Sequence, residues 1–173
     1  MILQVGKAAP HFTAEGLFGD EIKKVSLEDY RGKWVILVFY PLDFTFVCPT
    51  EVTAFDMEYD KFTEMNTEVL TISVDSVHSH RAWKKEIGIF KLGMLSDMTK
   101  DISRNYGVLV EDKGISLRGT FVIDPDGILK IALVHDLNVG RNVEEIIRVV
   151  QACQTGELCP IGWKPGQKTL GKG

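Results

Sequence analysis

With 173 residues, 45% of them apolar and 25% charged, the chain has the size and make-up of one globular domain with a sizeable core, which excludes a disordered polypeptide. Its 20 Lys and Arg against 24 Asp and Glu give a net charge of -4, so nothing draws in a polyanion and nucleic acid is a poor partner. No apolar run approaches the roughly 20 residues of a membrane span, and Met1-Ile-Leu-Gln-Val-Gly-Lys7 lacks the layout of a signal peptide, so a cytoplasmic address is expected.

In chain order, the first stretch is turn-rich, punctuated by Gly6, Pro10, Gly16 and Gly19-Asp20. Phe12-Thr13-Ala14 and Ile22 to Val25 predict two short edge strands joined by the Gly19-Asp20 turn. Ser26 and Asp29 have the spacing of a capping box for a single helical turn, closed by Gly32. Val35 to Tyr40 is an unbroken apolar run and predicts a fully buried strand, stopped by Pro41 because proline cannot continue a central strand. After Cys48, the residues Val52, Phe55, Tyr59 and Phe62 recur at spacings of three and four, which predicts one helix to about Met65.

Further on, Glu68 to Val74 is rich in β-branched residues and predicts a second strand. Ser76 to Ile87 predicts a helix ending at Gly88, and Lys100 to Tyr106 a short helix closed by Gly107. Met94-Leu95 is too short to assign. Thr120 to Ile123 and Ile128 to Val134 predict a hairpin across the Asp124-Pro-Asp-Gly127 turn. Asn142 to Cys153 predicts an amphipathic helix with Val143, Ile146, Ile147, Val150 and Cys153 on its apolar face. From Gln154 to Gly173 the composition is that of an irregular tail. The first two strands are thus parallel through a crossover helix and the last two antiparallel, a mixed α/β sheet of thioredoxin-like type with flanking helices. Residues 1–153 are expected to form that domain, and 154–173 a C-terminal tail.

The three cysteines, Cys48, Cys153 and Cys159, are too few for a disulfide scaffold and contain no Cys-x-x-Cys pair. Cys48 falls where a strand and loop give way to a helix. A helix's first turn favours a thiolate, because its unpaired N–H groups and macrodipole attract negative charge. Pro49 supports that placement, since proline is tolerated within the first turn. Thr45 can bring its hydroxyl to the same side of the turn, and Pro41 can shield the loop from water. On these neighbours alone, Cys48 is open to two readings: inert core residue or reactive thiol.

Pro41-x-x-x-Thr45-x-x-Cys48 resembles the active-site pattern of the peroxiredoxins, and Val47-Cys48-Pro49-Thr50-Glu51 that of the typical 2-Cys subfamily. Arg118-Gly-Thr-Phe-Val-Ile-Asp124 resembles the family segment that delivers the active-site arginine. Gly156-Glu-Leu-Cys159-Pro-Ile-Gly-Trp163 resembles the segment with the resolving cysteine. Asp75-Ser-Val-His-Ser-His80-Arg-Ala-Trp83, Asn105-Tyr-Gly107 and Val139-Gly-Arg141 also match. The resemblance spans nearly the whole chain, which is similar to the alkyl hydroperoxide reductase C component.

That resemblance implies a thiol peroxidase that reduces hydrogen peroxide and alkyl hydroperoxides in antioxidant defence, with no cofactor and no metal. Cys48 would be the peroxidatic thiol, becoming a sulfenic acid. Thr45, Arg118 and the backbone N–H of Cys48 would stabilise charge moving onto the leaving oxygen, with Pro41 over the site and Glu51 and Arg141 in support. Cys159 of a second subunit would resolve the sulfenic acid as an intersubunit disulfide, while Cys153 is read as core or interface. The implied partners are an external dithiol reductant, thioredoxin or a flavoprotein disulfide reductase, and further copies of the chain, dimers assembling to a decamer. A ring-forming holdase chaperone is the alternative.

The Gly-Gly-Leu-Gly insertion and Tyr-Phe extension of peroxide-sensitive eukaryotic members have no counterpart in Gly88-Ile-Phe-Lys-Leu-Gly-Met94 or in the last residues. Resistance to overoxidation is therefore expected. Without the resemblance, Arg118 would read as a surface salt bridge. Trp83 reads as packing, and His78 and His80 as solvated, since no carboxylate or cysteine joins them at ligand spacing. His135-Asp136 is disfavoured as a catalytic pair, because adjacent residues rarely orient each other's rings.

Overall fold

The apolar run at 35–40 falls in β3 (Trp34–Phe39), an interior strand of a seven-stranded sheet in the computed structural model of the chain, which describes residues 3–89 and 91–173. Those residues make two compact units, one ending at Arg141 and the other Asn142–Gly173. In the first, β1 (Thr13–Phe18) and β2 (Glu21–Ser26) pair antiparallel as expected, but only β2 is an edge strand, since β1 also pairs with Met94 and Leu95 on its other side. The backbone N–H of Ser26 donates to Asp29 Oδ2 at 2.7 Å, fixing the single 3-10 turn Leu27–Tyr30. β3 runs parallel to β4 (Thr67–Ser73), and β4 parallel to β5 (Gly93–Ser96), the strand of which Met94-Leu95 is the centre. β8 (Arg118–Ile123) pairs antiparallel with β3 and with β9 (Leu129–His135), giving the order β2-β1-β5-β4-β3-β8-β9. A separate two-stranded ribbon, β6 (Leu109–Val110) with β7 (Ile115–Ser116), is too short to leave a sequence pattern.

Because side chains alternate across a strand, β3 feeds two faces. Val35, Leu37 and Phe39 enter a core with Leu70, Ile72, Tyr106 and Phe121. There the Phe39 and Phe121 rings meet edge to face, with centroids 5.6 Å apart at 88°. On the other face Tyr40, just past the strand, stacks on Trp83 at 5.5 Å. Trp83 belongs to α3 (Val77–Ile87), capped by Ser76 and closed by Gly88 at φ 70°, as its sequence indicated. Trp83 is therefore packing. Phe90, in the segment compared with the Gly-Gly-Leu-Gly insertion, lies outside the described residues.

The single helix expected from Cys48 to Met65 is two, α1 (Cys48–Met57) and α2 (Tyr59–Glu64). Glu58 between them has φ -92° and ψ 4°, outside the helical range, and Phe55 and Phe62 stack across the break with centroids 6.2 Å apart. A one-residue lapse leaves the spacing of three and four intact, so the pattern does not reveal it. The short helix α4 (Asp101–Asn105) is anchored by buried Asp97, whose carboxylate accepts from the N–H groups of Ile102 and Ser103 at 3.1 and 2.7 Å.

In the second unit, α5 (Val143–Gln154) is capped by Asn142, whose Oδ1 accepts from the Glu145 N–H at 3.1 Å. Ile146, Ile147 and Val150 are buried, as its amphipathic spacing indicated. Beyond Gln154 there is no further helix or strand among the described residues, and the chain is tied by local hydrogen bonds.

Candidate active site

α1 begins at Cys48 with Pro49 in its first turn, immediately after Val47. The strand that delivers the chain to this point ends at Phe39, and residues 40–47, with Pro41 buried, cross from β3 to α1. Cys48 and Glu51 are three residues apart and share one face of α1; both are buried. Onto that face β8 sends Arg118 from its first position. Arg118 Nη1 donates to Cys48 Sγ at 3.3 Å and to Glu51 Oε2 at 2.8 Å, while Nε donates to the Leu137 carbonyl at 2.9 Å. Arg118 is 4% exposed, so the surface salt bridge ordinarily expected of a strand-edge arginine is not what forms.

Glu51 also engages Arg141. Arg141 Nη2 donates to Glu51 Oε2 and Nε to Oε1, both at 2.9 Å, and the Arg141 backbone N–H reaches Oε1 at 2.9 Å. The remaining Nη1 donates to the Gly119 carbonyl at 2.9 Å and the Thr120 hydroxyl at 3.3 Å. One carboxylate thus bridges two guanidiniums, and one of these touches the cysteine sulfur. Burial opposes ionisation of Glu51, but hydrogen bonds and charge from Arg141, with the charge of Arg118, outweigh it and hold its pKa below the ordinary value. Burial also works against the charge of Arg118, yet its bond to Cys48 and the charge of Glu51 leave its pKa raised. For Arg141 burial wins and the pKa is lowered.

The Glu51 result fixes a pH dependence. A carboxyl whose pKa is lower in the folded chain stabilises the fold above its unfolded value of 4.5, and that contribution fades as pH falls through the folded value. Glu51→Gln removes it and leaves two buried cations poorly compensated, at a cost of about 3–5 kcal/mol near neutral pH. Urea unfolding from neutral to acid pH should show the two proteins converging below the ordinary carboxyl range. Parallel curves would show that Glu51 is not the bridge described.

The loop before Cys48 is held by a second buried network. Asp43 accepts from Tyr40 Oη at 2.6 Å and from Ser79 Oγ at 2.8 Å, and lies 2.8 Å from His80 Nδ1; its own N–H donates to Asp75 Oδ2 at 2.9 Å. His80 Nε2 is 3.0 Å from the Leu95 carbonyl, which can only accept, so that nitrogen carries a proton. Burial first, then the Asp43 charge, push the Tyr40 pKa well up, keeping it a donor. The solvated reading of His80 is therefore corrected: it is fully buried and ties α3 and β5 to the loop, whereas His78 is exposed. Val77, His80 and Trp83 fall three apart on one buried stripe of α3, and that spacing is the signal the solvated reading passed over.

Of the sequence candidates, the structure joins Cys48, Glu51, Arg118 and Arg141 in one cluster and places Pro41 buried at the start of the loop. The Thr45 hydroxyl donates to the Leu42 carbonyl at 2.9 Å. Asp136 Oδ1 accepts from the Leu137 N–H at 2.7 Å, and His135 Nδ1 faces the Val139 and Gly140 carbonyls, so the two are engaged separately. Cys153 and Cys159 are half-buried thiols of the second unit.

Residues 5–132 match the AhpC/TSA family. The chloroplastic 2-Cys peroxiredoxin BAS1 of Spinacia oleracea is 52% identical over 177 residues, covering 96% of this chain and 67% of its own. The chain belongs to that family, as a 2-Cys peroxiredoxin. A thioredoxin peroxidase of Echinococcus granulosus is 50% identical, over 98% of this chain and 93% of its own. The reduced 2-Cys peroxiredoxin of Plasmodium vivax superposes with a TM-score of 0.92 at 47% identity, covering 95% of this chain and 91% of that one. The mixed sheet of this peroxiredoxin is accordingly the thioredoxin-like fold expected, and its activity is that of a thiol peroxidase in antioxidant defence; these similarities lend nothing to the chaperone alternative.

Proposed function

We propose that this peroxiredoxin reduces hydrogen peroxide and alkyl hydroperoxides at Cys48 with electrons from thioredoxin or a similar dithiol protein. The contact between Arg118 Nη1 and Cys48 Sγ at 3.3 Å carries the reading. A guanidinium at that range favours a sulfur anion and stands ready to donate to oxygen arriving at the sulfur. The Cys48 thiolate attacks one peroxide oxygen, the O–O bond breaks, and the second oxygen leaves as water or alcohol after taking a proton. Arg118 steadies the charge passing to the leaving oxygen, with the Cys48 N–H as a further donor, and Thr45 joins them once its hydroxyl turns from the Leu42 carbonyl to the peroxide. Arg141 acts through Glu51, holding the carboxylate that orients Arg118.

The resulting sulfenic acid is then attacked by the partner's Cys159, forming a disulfide and releasing water. That step requires at least a dimer, and we extend the assembly to a decamer on the family resemblance. It also requires the first turn of α1 to open, since Cys48 is buried. The similarity to a thioredoxin peroxidase supports a thioredoxin-type reductant, a flavoprotein disulfide reductase being the alternative. Such a supply of reduced dithiol suits the cytoplasm, where we place the protein.

The test couples peroxide to thioredoxin, thioredoxin reductase and NADPH, and follows NADPH loss. Steady turnover is expected, and none with any reductant supplied would overturn the reading. After one equivalent of peroxide, a non-reducing gel should show a dimer-sized band for wild type and Cys153→Ser but not for Cys159→Ser. A band retained in Cys159→Ser would move the resolving role elsewhere.

A further inference from the structure

The segment that carries Cys159 is docked on its own helix. Cys159 Sγ donates to the Ala152 carbonyl at 3.7 Å and lies 3.5 Å from Thr155 Oγ1. Just before it, Leu158 is tied at both backbone groups: its N–H donates to Gly171 at 2.9 Å, and its carbonyl accepts from the Leu170 N–H at 2.7 Å. Just after it, the Trp163 carbonyl accepts from Arg148 Nη1 at 2.8 Å. The turn beyond is closed by Trp163 Nε1 donating to Gln167 O at 3.1 Å and the Lys164 N–H donating to Gln167 Oε1 at 2.9 Å.

Arg148 and Ala152 are four residues apart and lie on one face of α5. They therefore hold the two ends of the Cys159-to-Trp163 stretch against the same side of the helix. Arg148 is itself braced: Nε and Nη2 donate to Glu145 Oε2 and Oε1 at 2.6 and 2.7 Å, a two-point pairing that aims the remaining Nη1 at Trp163. Arg148 takes no part in the cluster around Cys48 described above.

We propose that Arg148 is a positioning residue for the resolving step, latching the Cys159 segment to α5 through the Trp163 carbonyl and so limiting the rate of disulfide formation. This rests on the reading of Cys159 as the resolving thiol. A thiol bonded back to its own helix is not aligned on a sulfenic sulfur, so attack draws on the fraction of chains in which the segment has lifted. While that fraction is small, the rate rises in proportion to it, as for any reaction through a minor conformer. The step itself is unchanged: the Cys159 sulfur bonds to the Cys48 sulfur, the S–O bond breaks, and the oxygen leaves as water with the thiol's proton. A charge-assisted bond on a quarter-exposed side chain is worth about three- to tenfold in that equilibrium.

The experiment is rapid quench after one equivalent of hydrogen peroxide, in wild type, Arg148→Ala and Glu145→Gln, reading sulfenic acid by trapping and the disulfide by non-reducing gel. Arg148→Ala should form the disulfide about three- to tenfold faster, with Glu145→Gln intermediate and Cys48 oxidation at the wild-type rate. At excess peroxide both variants should also accumulate less Cys48 sulfinic acid, because faster resolution shortens the life of the sulfenic state. A general loss of structure would slow Cys48 oxidation too, so the split between the two rates isolates the latch. Equal or slower disulfide formation in both variants, with oxidation intact, overturns the proposal. A wild type that forms no disulfide through Cys159 overturns instead the resolving role on which it depends.

Discussion

Cys48→Ser should reduce thioredoxin-coupled peroxide turnover to the level of the reagents alone. The reaction transfers an oxygen to a polarisable sulfur that can carry it as a sulfenic acid, and a serine hydroxyl has no such oxidation state to enter. The neighbouring donors cannot compensate, because they stabilise charge moving off a nucleophile that is then missing. Ser is close in shape to Cys, so Glu51, Arg118 and Arg141 keep their mutual bonds and the fold should persist. Stopped-flow peroxide consumption together with a thermal melt checks both halves. Turnover kept within a few-fold of wild type, with the fold intact, would remove Cys48 from the chemistry.

Arg118→Ala is expected to slow Cys48 oxidation by about 10²–10³, the usual effect of removing one donor that faces developing charge. The loss should appear in the oxidation step, measured in single turnover with peroxide, more than in overall stability. Glu51 retains Arg141 at both carboxylate oxygens, so truncating Arg118 does not strand a buried carboxylate. Arg118→Lys should fall between, since it restores a charge but not the planar fork that reaches Cys48, Glu51 and the Leu137 carbonyl together. An Arg118→Ala protein that oxidises at the wild-type rate would show that the contact at 3.3 Å is structural only.

Much of this was readable along the chain where one physical effect dominates. The run at β3 has no polar interruption, and Pro49 can sit only in a first turn, so strand and helix start were both visible. The hairpin before β9 was visible through its Asp-Pro-Asp-Gly turn. The lapse at Glu58 and the ribbon of β6 and β7 were not, because each involves too few residues to alter a periodicity. The cluster itself was half visible. Resemblance brought Arg118 and Cys48 together, but the two-sided grip of Glu51 on both arginines depends on a contact between residues 90 positions apart. The burial of His80 is written in its place on the helix face, three residues from both Val77 and Trp83, and not in its neighbours in sequence.

The bridge between one carboxylate and two guanidiniums has an electrical corollary for the catalytic cycle. With Cys48 as a thiolate, the four buried groups sum to neutrality: two positive arginines against Glu51 and sulfur. If the sulfur becomes a sulfenic acid or a disulfide as proposed above, one positive charge is left uncancelled among side chains that are nearly out of reach of water. The proposed oxidation would therefore withdraw the anion that completes the cluster, and the first turn of α1 should then be held less firmly in the oxidised protein than in the reduced one. Reduction would restore that anion.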